Sequence, residues 1–182
     1  TIWAHTQGVF PPRENIASVL NMPSEQIHVI HTEGSGCYGH NGADDAALDA
    51  ALLARAFPGQ PVSLKWTRAN ENQWEPYNPA ALIKMQASID MQGKVLAWNH
   101  DVYSAPHFGR ARPDETTSGL LAAWHLAKPM PKPPLLTGFW NNSGAHRNAD
   151  PSYNFEHKRV AKPIQLKPAL RVSSFRGLRA YD

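Results

Sequence analysis

The chain has 182 residues, 42% of them apolar and 18% charged, a balance that supports a packed core and excludes a disordered polymer. Its formal charge of +3, without a long run of like charges, gives no electrostatic footprint for nucleic acid. No apolar stretch reaches the roughly 18 residues of a membrane helix, no signal peptide is visible, and the single cysteine, Cys37, excludes an internal disulfide framework or a multi-cysteine metal centre.

In chain order, "TIWAHT" is a short extended run. "PPRENIASVL" predicts a helix with proline at its start and Ile16, Val19 and Leu20 on one face. Residues 26–32 alternate as a strand, and a glycine-rich loop follows. A second helix is predicted over 43–57, with Leu48, Leu52 and Ala56 on one stripe, ended by "PGQP". "VSLKWT" reads as the next strand. "LIKMQASIDM" and "KVLAWNHDVYSA", joined at Gln92-Gly93, read as a hairpin whose Ile83, Met85, Ala87 and Ile89 form a half-buried face. After Ala105 the pattern weakens. A short helix over 116–127 is expected, "KPMPKPPLLTGFWNNSG" reads as a crossing loop, and "YNFEHKRV" and "ALRVSS" look extended. No internal repeat is present. The expected fold is α+β, with mixed sheets and packed helices, regular over 1–105 and loop-rich over 106–182.

The loop "EGSGCYGHNGADD" contains Gly34-Ser-Gly36-Cys-Tyr-Gly39, a G-x-G-x-x-G between a strand and a helix. A dinucleotide site needs its helix to begin inside the motif, so that bare N–H groups meet a pyrophosphate. Here His40, Asn41 and Gly42 intervene, and Asp44 and Asp45 in the first helical turn would repel a phosphate. The ribose-binding carboxylate expected about 20 residues on is also missing, since Arg68 ends the next predicted strand. A nicotinamide dinucleotide is therefore not expected to bind. Two readings stay open: a tight turn, and a loop whose main-chain N–H groups approach a different ligand.

Four stretches read together resemble one family: "TQG" at Thr6 to Gly8, "GSGCYGHNGADD", "PVSLKWTR" and "LRVSSFRGLRAYD". The chain resembles the molybdenum-cofactor-binding subunit of the xanthine oxidase and aldehyde oxidase family of molybdenum hydroxylases. "WEPYNPA" and "HRNADPSY" point to its bacterial branch of nicotinate dehydrogenase and isoquinoline 1-oxidoreductase large subunits. The resemblance covers about residues 1–103 and 144–180, and the middle carries no motif.

The resemblance implies an oxidoreductase that hydroxylates a carbon beside a ring nitrogen, or an aldehyde carbon, with oxygen from water. Electrons would leave through iron–sulfur clusters. It implies molybdopterin, in its cytosine dinucleotide form, as cofactor. It also implies three partners: the rest of the molybdopterin-binding region, a 2Fe–2S small subunit and a c-type cytochrome. Gln7 matches the glutamine that hydrogen-bonds an oxo ligand. Gly36, Cys37, Tyr38 and Gly39 match the glycine loop at the metal's ligand sphere, with Cys37 and Tyr38 in place of the commoner Gly-Phe. Phe175, Arg176 and Gly177 match the segment beside pterin and metal. Asn41, Gly42 and Ala43 stand where the purine-oxidising branch carries a glutamate, which disfavours a purine. The family's catalytic glutamate has no counterpart, so no catalytic residue is assigned. With no opening methionine, and a stop just past Arg176, the chain reads as a single excised fragment of that region, inert alone. A non-catalytic cofactor-carrier or assembly domain is the rival reading. Between periplasm, cytoplasm and membrane association the residues do not decide.

Other signals weigh less. Cys37 with His31 and His40 would make a thiol nucleophile and base, but a cysteine in a glycine loop is more often just a small side chain. His28 and His31 have H-x-x-H spacing, yet on a strand they point to opposite faces. The six tryptophans, with Tyr77, Phe139 and Trp140, suit core packing, with a substrate pocket or a subunit interface as the alternatives. Glu75, between prolines in "WEPYNP", is the most interesting carboxylate, with a solvated loop residue as the plainer alternative.

Overall fold

The computed structural model describes residues 1–106, 116–134, 149–165, 167–173 and 175. The fold is α+β, and two compact units form within it: Thr1–Pro76 with Gly109–Pro134, and Tyr77–Phe108 with Leu135–Asp182.

The first unit opens with strand β1 (Ile2–Ala4), which pairs in parallel with β2 (Val29–His31); Ile2 lies opposite Val29 and Ala4 opposite His31. Helix α1 (Phe10–Leu20) links them in a crossover, starting on Pro11 and Pro12, where missing N–H groups cost nothing. It ends on Asn21 in the left-handed region, whose N–H reaches back to Ala17 and Ser18. Ile16, Ala17 and Leu20 form its buried face. Helix α2 (Ala43–Ala56) packs Ala47, Leu48 and Ala51 against that face, its small residues letting the two helices approach. Arg55 Nη1 donates to the Leu20 carbonyl at 2.5 Å, closing the C-terminus of α1. Leu120 and Ala123 complete the core from a 3₁₀ turn over Leu121–His125 and the residue before it; that turn stands in place of the longer helix expected there.

The expected strand "VSLKWT" differs. Val62, Leu64 and Trp66 are half-buried and Ser63 and Lys65 exposed, so the alternation is present, but the segment joins no ladder among the described residues. It leads into helix α3 (Arg68–Trp74), which the sequence pattern does not predict. Thr67 and Asn70 form a reciprocal capping box, with an asparagine where glutamate or glutamine is the usual signal.

In the second unit β3 (Ala81–Ile89) and β4 (Val95–Ser104) make the expected antiparallel hairpin, and β5 (His157–Ala161) adds to β4 in parallel. Gly93 turns the hairpin with φ +80, and Asp90 Oδ1 accepts the N–H groups of Gln92 and Lys94. The expected burial of β3 does not hold. All nine residues are exposed, Ile83, Met85 and Ile89 included. Ile83 and Met85 lie opposite Val102 and His100, so they share the face that is buried on β4. On β4 that face is covered; over the edge strand nothing described lies on it. His100 Nδ1 donates to the Ala149 carbonyl at 2.8 Å, and Trp98 stacks on Phe155. Farther on, the extended reading of "ALRVSS" reduces to a parallel bridge between Val172 and Tyr77. No helix among the described residues is long and apolar enough to cross a membrane.

Candidate cofactor site

Parallel pairing of β1 and β2 places their C-terminal ends side by side, so the chain leaves both strands on one edge. The Thr32 N–H extends the ladder by donating to the Ala4 carbonyl at 3.0 Å. Beyond it His5-Thr6-Gln7 and the glycine loop diverge around a cavity of about 340 Å³. Gln7, His31, Gly34, Gly36 and Cys37 line it, and Glu33, exposed, is the one carboxylate on the lining.

A side-chain hydrogen bond at the cavity joins the two loops. Gln7 Nε2 donates to Cys37 Sγ at 3.0 Å, and the Cys37 thiol donates to the Gly39 carbonyl at 2.7 Å. Gln7 is exposed and Cys37 half-buried, so both face the cavity mouth. The glycines are needed where they stand. Gly36 and Gly39 have φ of +126 and +110, which side chains rarely adopt. A Cβ on Gly34 would come within 2.7 Å of His5, so the two loops pack this closely only because it is absent. His31 Nδ1 donates to the Thr6 carbonyl at 2.9 Å.

Beneath this cavity is a buried polar layer that the sequence reading missed. Thr6, beside Gln7, donates from Oγ1 to Asp44 Oδ1 at 2.5 Å and accepts from the Gly8 N–H at 3.4 Å. Asp44 is 4% exposed, and the His40 ring nitrogen Nε2 lies 3.7 Å from its other oxygen. Asp45, also buried, accepts the Leu121 N–H at 2.8 Å. Asp44 and Asp45 therefore do not face a ligand at the start of α2. Both sit in its first turn, where the helix dipole favours a carboxylate, and each anchors a distant segment. Asn41 Oδ1 accepts the Ala43 N–H and caps the same turn. A sequence signal did exist: adjacent aspartates inside an alanine-rich, core-facing stretch must be paired or solvated.

Glu75 is half-buried. Burial pushes its carboxyl up, and Glu71 adds to the rise; Arg68 and the Gly42 N–H temper it. Tyr38 is exposed. Phe175 belongs to the second unit and is half-buried, while Arg176, Gly177, Phe139 and Trp140 lie outside the described residues. Among the described residues no three His, Cys, Asp or Glu side chains cluster to hold a metal ion.

The donor set fits an anionic, oxygen-bearing group. The Gln7 carboxamide on the lining offers N–H donors that do not titrate, and Gly34 and Gly36 leave the lining there free of side chains.

A family model described as molybdopterin cofactor-binding domain matches residues 1–113. A nicotinate dehydrogenase subunit of Pseudomonas putida is 32% identical over 179 residues, 98% of this chain and 14% of that protein. The aldehyde oxidoreductase molybdenum-binding subunit PaoC of Escherichia coli is 30% identical over 105 residues, 57% of this chain and 14% of that protein. The chain thus spans about one-seventh of the length of these curated relatives. No solved structure matches. The chain belongs to the molybdopterin cofactor-binding domains of the xanthine oxidase and aldehyde oxidase family.

Proposed function

We propose that the chain forms one wall of a molybdenum-cofactor site. The parent enzyme would be an oxidoreductase that hydroxylates an aromatic N-heterocycle, or oxidises an aldehyde, with oxygen from water. The observation that carries this reading is the Gln7–Cys37 hydrogen bond, which brings the Thr6-Gln7 loop and the glycine loop together at one cavity. When bound, a molybdenum centre held by molybdopterin would supply two-electron redox chemistry at a substrate carbon. Gln7 would hold an oxygen of that group through its carboxamide N–H, now turned to Cys37. Gly36 and Gly39 would let main-chain N–H groups of the loop come close. Arg176, in the Phe175-Arg176-Gly177 segment, would add a fixed positive charge and a planar donor fork. Thr6, Asp44 and His40 would keep the Gln7 backbone in place without touching substrate. The cytosine dinucleotide form of the cofactor, a 2Fe–2S subunit and a c-type cytochrome as electron acceptor belong to the same reading.

The relatives' names supply the substrates to try, nicotinate and an aldehyde. The test uses the complete subunit with its partners, produced in a host that makes the molybdenum cofactor. Gln7→Ala should keep its molybdenum content and lose about 10²–10³ in kcat, as expected for a lost donor to developing charge. Unchanged turnover in that variant would remove Gln7 from the site. The 182 residues alone should be inert, because a missing general base by itself costs about 10²–10⁴ in rate. A complete subunit that binds molybdenum yet turns over neither substrate would instead favour the carrier or assembly reading.

A further inference from the structure

The first unit holds a second cavity of about 340 Å³, apart from the glycine loop. It opens between α2, α3 and the Leu121–His125 turn. Two indoles, Trp66 and Trp74, form its walls, Asp49 lies between the helices, and Asn70 and His125 stand at the rim. Trp66 Nε1 donates to Asp49 Oδ2 at 3.0 Å, and the Trp66 ring lies so close over Gly42 that a Cβ there would meet it at 2.7 Å. Trp66 is thus fixed at both ends. Asn70 commits its side-chain oxygen to Thr67, from which it accepts both the N–H and the hydroxyl.

Asp49 is left with one unanswered need. It is half-buried, its Oδ2 takes the indole N–H, and no lysine, arginine or histidine pairs with it among the described residues. Arg68, on α3, is turned to Glu71 at 2.8 Å. Burial raises the Asp49 carboxyl above its ordinary value, and the Trp66 hydrogen bond only partly offsets this. A cation beside Oδ1 would offset that cost of burial. Indole faces attract the same charge, because their quadrupole is negative above the ring.

We propose that this cleft binds an organic cation, a guanidinium or alkylammonium group lying against Trp66 and Trp74 and paired with Asp49 Oδ1. A free small molecule and an arginine or lysine side chain of a polypeptide segment present the same group to the site. The inference does not depend on the molybdenum reading, since none of these residues lines the glycine-loop cavity.

Agmatine is the probe. Titrated into the purified protein at about pH 8, well above carboxyl titration, it should quench tryptophan fluorescence saturably with Kd at or below about 1 mM. N-butylacetamide, of similar shape and uncharged, should bind at least about tenfold more weakly. Asp49→Asn should cost agmatine about tenfold in affinity, and Trp74→Ala about threefold or more, with the circular dichroism of both variants unchanged. Equal binding of the neutral analogue would reduce the cleft to an apolar crevice and overturn the proposal. So would the absence of agmatine binding up to about 10 mM. A capped Gly-Arg-Gly peptide separates the two sources. Binding about tenfold or more tighter than agmatine assigns the cleft to a polypeptide side chain, and equal or weaker binding assigns it to a free cation.

Discussion

At the glycine-loop end of the first unit, polar side chains are buried and reach far along the sequence. Thr6 meets Asp44 across 38 residues, and Leu121 meets Asp45 across 76. Along β3 in the second unit the reverse holds, because nine consecutive residues pair through the backbone and expose every side chain. The contrast separates two ways of holding a loop or strand. Buried charge-assisted hydrogen bonds fix a position to within a fraction of an ångström, as a donor aimed at a ligand requires. A backbone ladder fixes register and leaves the side chains to whatever covers them.

The largest difference between the regions should appear on truncating an apolar side chain in each. Leu48, fully buried between α1 and α2, should cost about 2–5 kcal/mol as Leu48→Ala. Ile83→Ala on the exposed strand should cost about 1 kcal/mol or less. Urea unfolding of the two variants checks this. Comparable losses would mean that the β3 face is covered in solution.

The second effect tests the polar layer. Asp44→Ala removes the acceptor of the Thr6 hydroxyl and the carboxylate beside His40, and should cost about 1.5–3 kcal/mol. In the complete enzyme it should also lower kcat without touching substrate, because the Gln7 backbone loses its support. Asp44→Asn, which keeps an acceptor oxygen, should recover much of both. If Asp44→Ala unfolds at wild-type urea concentrations, the layer is not what holds the loop.

Helices α1 and α2 were legible because period and punctuation agree: prolines open α1, a leucine and alanine stripe marks α2, and "PGQP" ends it. The hairpin was legible from Gln92-Gly93. What was missed has common physical causes. Residues 61–67 alternate as a strand does, but pairing needs a neighbour that local sequence does not name. Helix α3 announces itself only through Thr67 and Asn70, an unusual capping pair. The stripe on β3 identified the correct face, yet burial depends on what lies over it. Of the candidate site, Gln7 and the glycine loop were named through resemblance, and the structure brings Gln7 and Cys37 together. The roles of Asp44 and Asp45 were not, since their partners are distant in sequence and the first turn of a helix is a common place for solvated carboxylates.

Glycine sharpens the comparison at smaller scale. Gly36 and Gly93 both have positive φ, but a Cβ on Gly36 meets the Tyr38 ring at 3.0 Å, while around Gly93 there is open space. Gly93→Ala should cost about 1 kcal/mol, from backbone strain alone. Gly36→Ala should cost up to about 2 kcal/mol and displace Tyr38, with a change in its fluorescence or NMR signals. Equal costs, with Tyr38 undisturbed, would show that the loop relaxes freely and is too soft to aim its N–H groups.

The smallest expected effect contrasts two carboxylates. Asp101 in the second unit faces Arg159 at 2.6 Å, a pair whose arginine is well exposed. Asp101→Asn should therefore lower stability by no more than about 1 kcal/mol. Asp49→Asn in the first unit should have the opposite sign. Burial raises the Asp49 carboxyl above its ordinary value of 3.8, so near and above that pH the folded chain holds a proton more tightly than the unfolded chain does. Stability from this group is present below 3.8 and is lost as pH rises through the folded value. Asparagine does not titrate and keeps an oxygen for the Trp66 N–H. The advantage of Asp49→Asn over wild type should then open as pH rises above 3.8 and level off once the folded carboxyl is ionised. Urea unfolding across a pH series measures it. If Asp49→Asn is instead the less stable protein at neutral pH, the carboxylate already has a cation in the protein alone. Adding agmatine should close the gap from the wild-type side only, because a ligand that binds the folded state stabilises only the variant able to hold it.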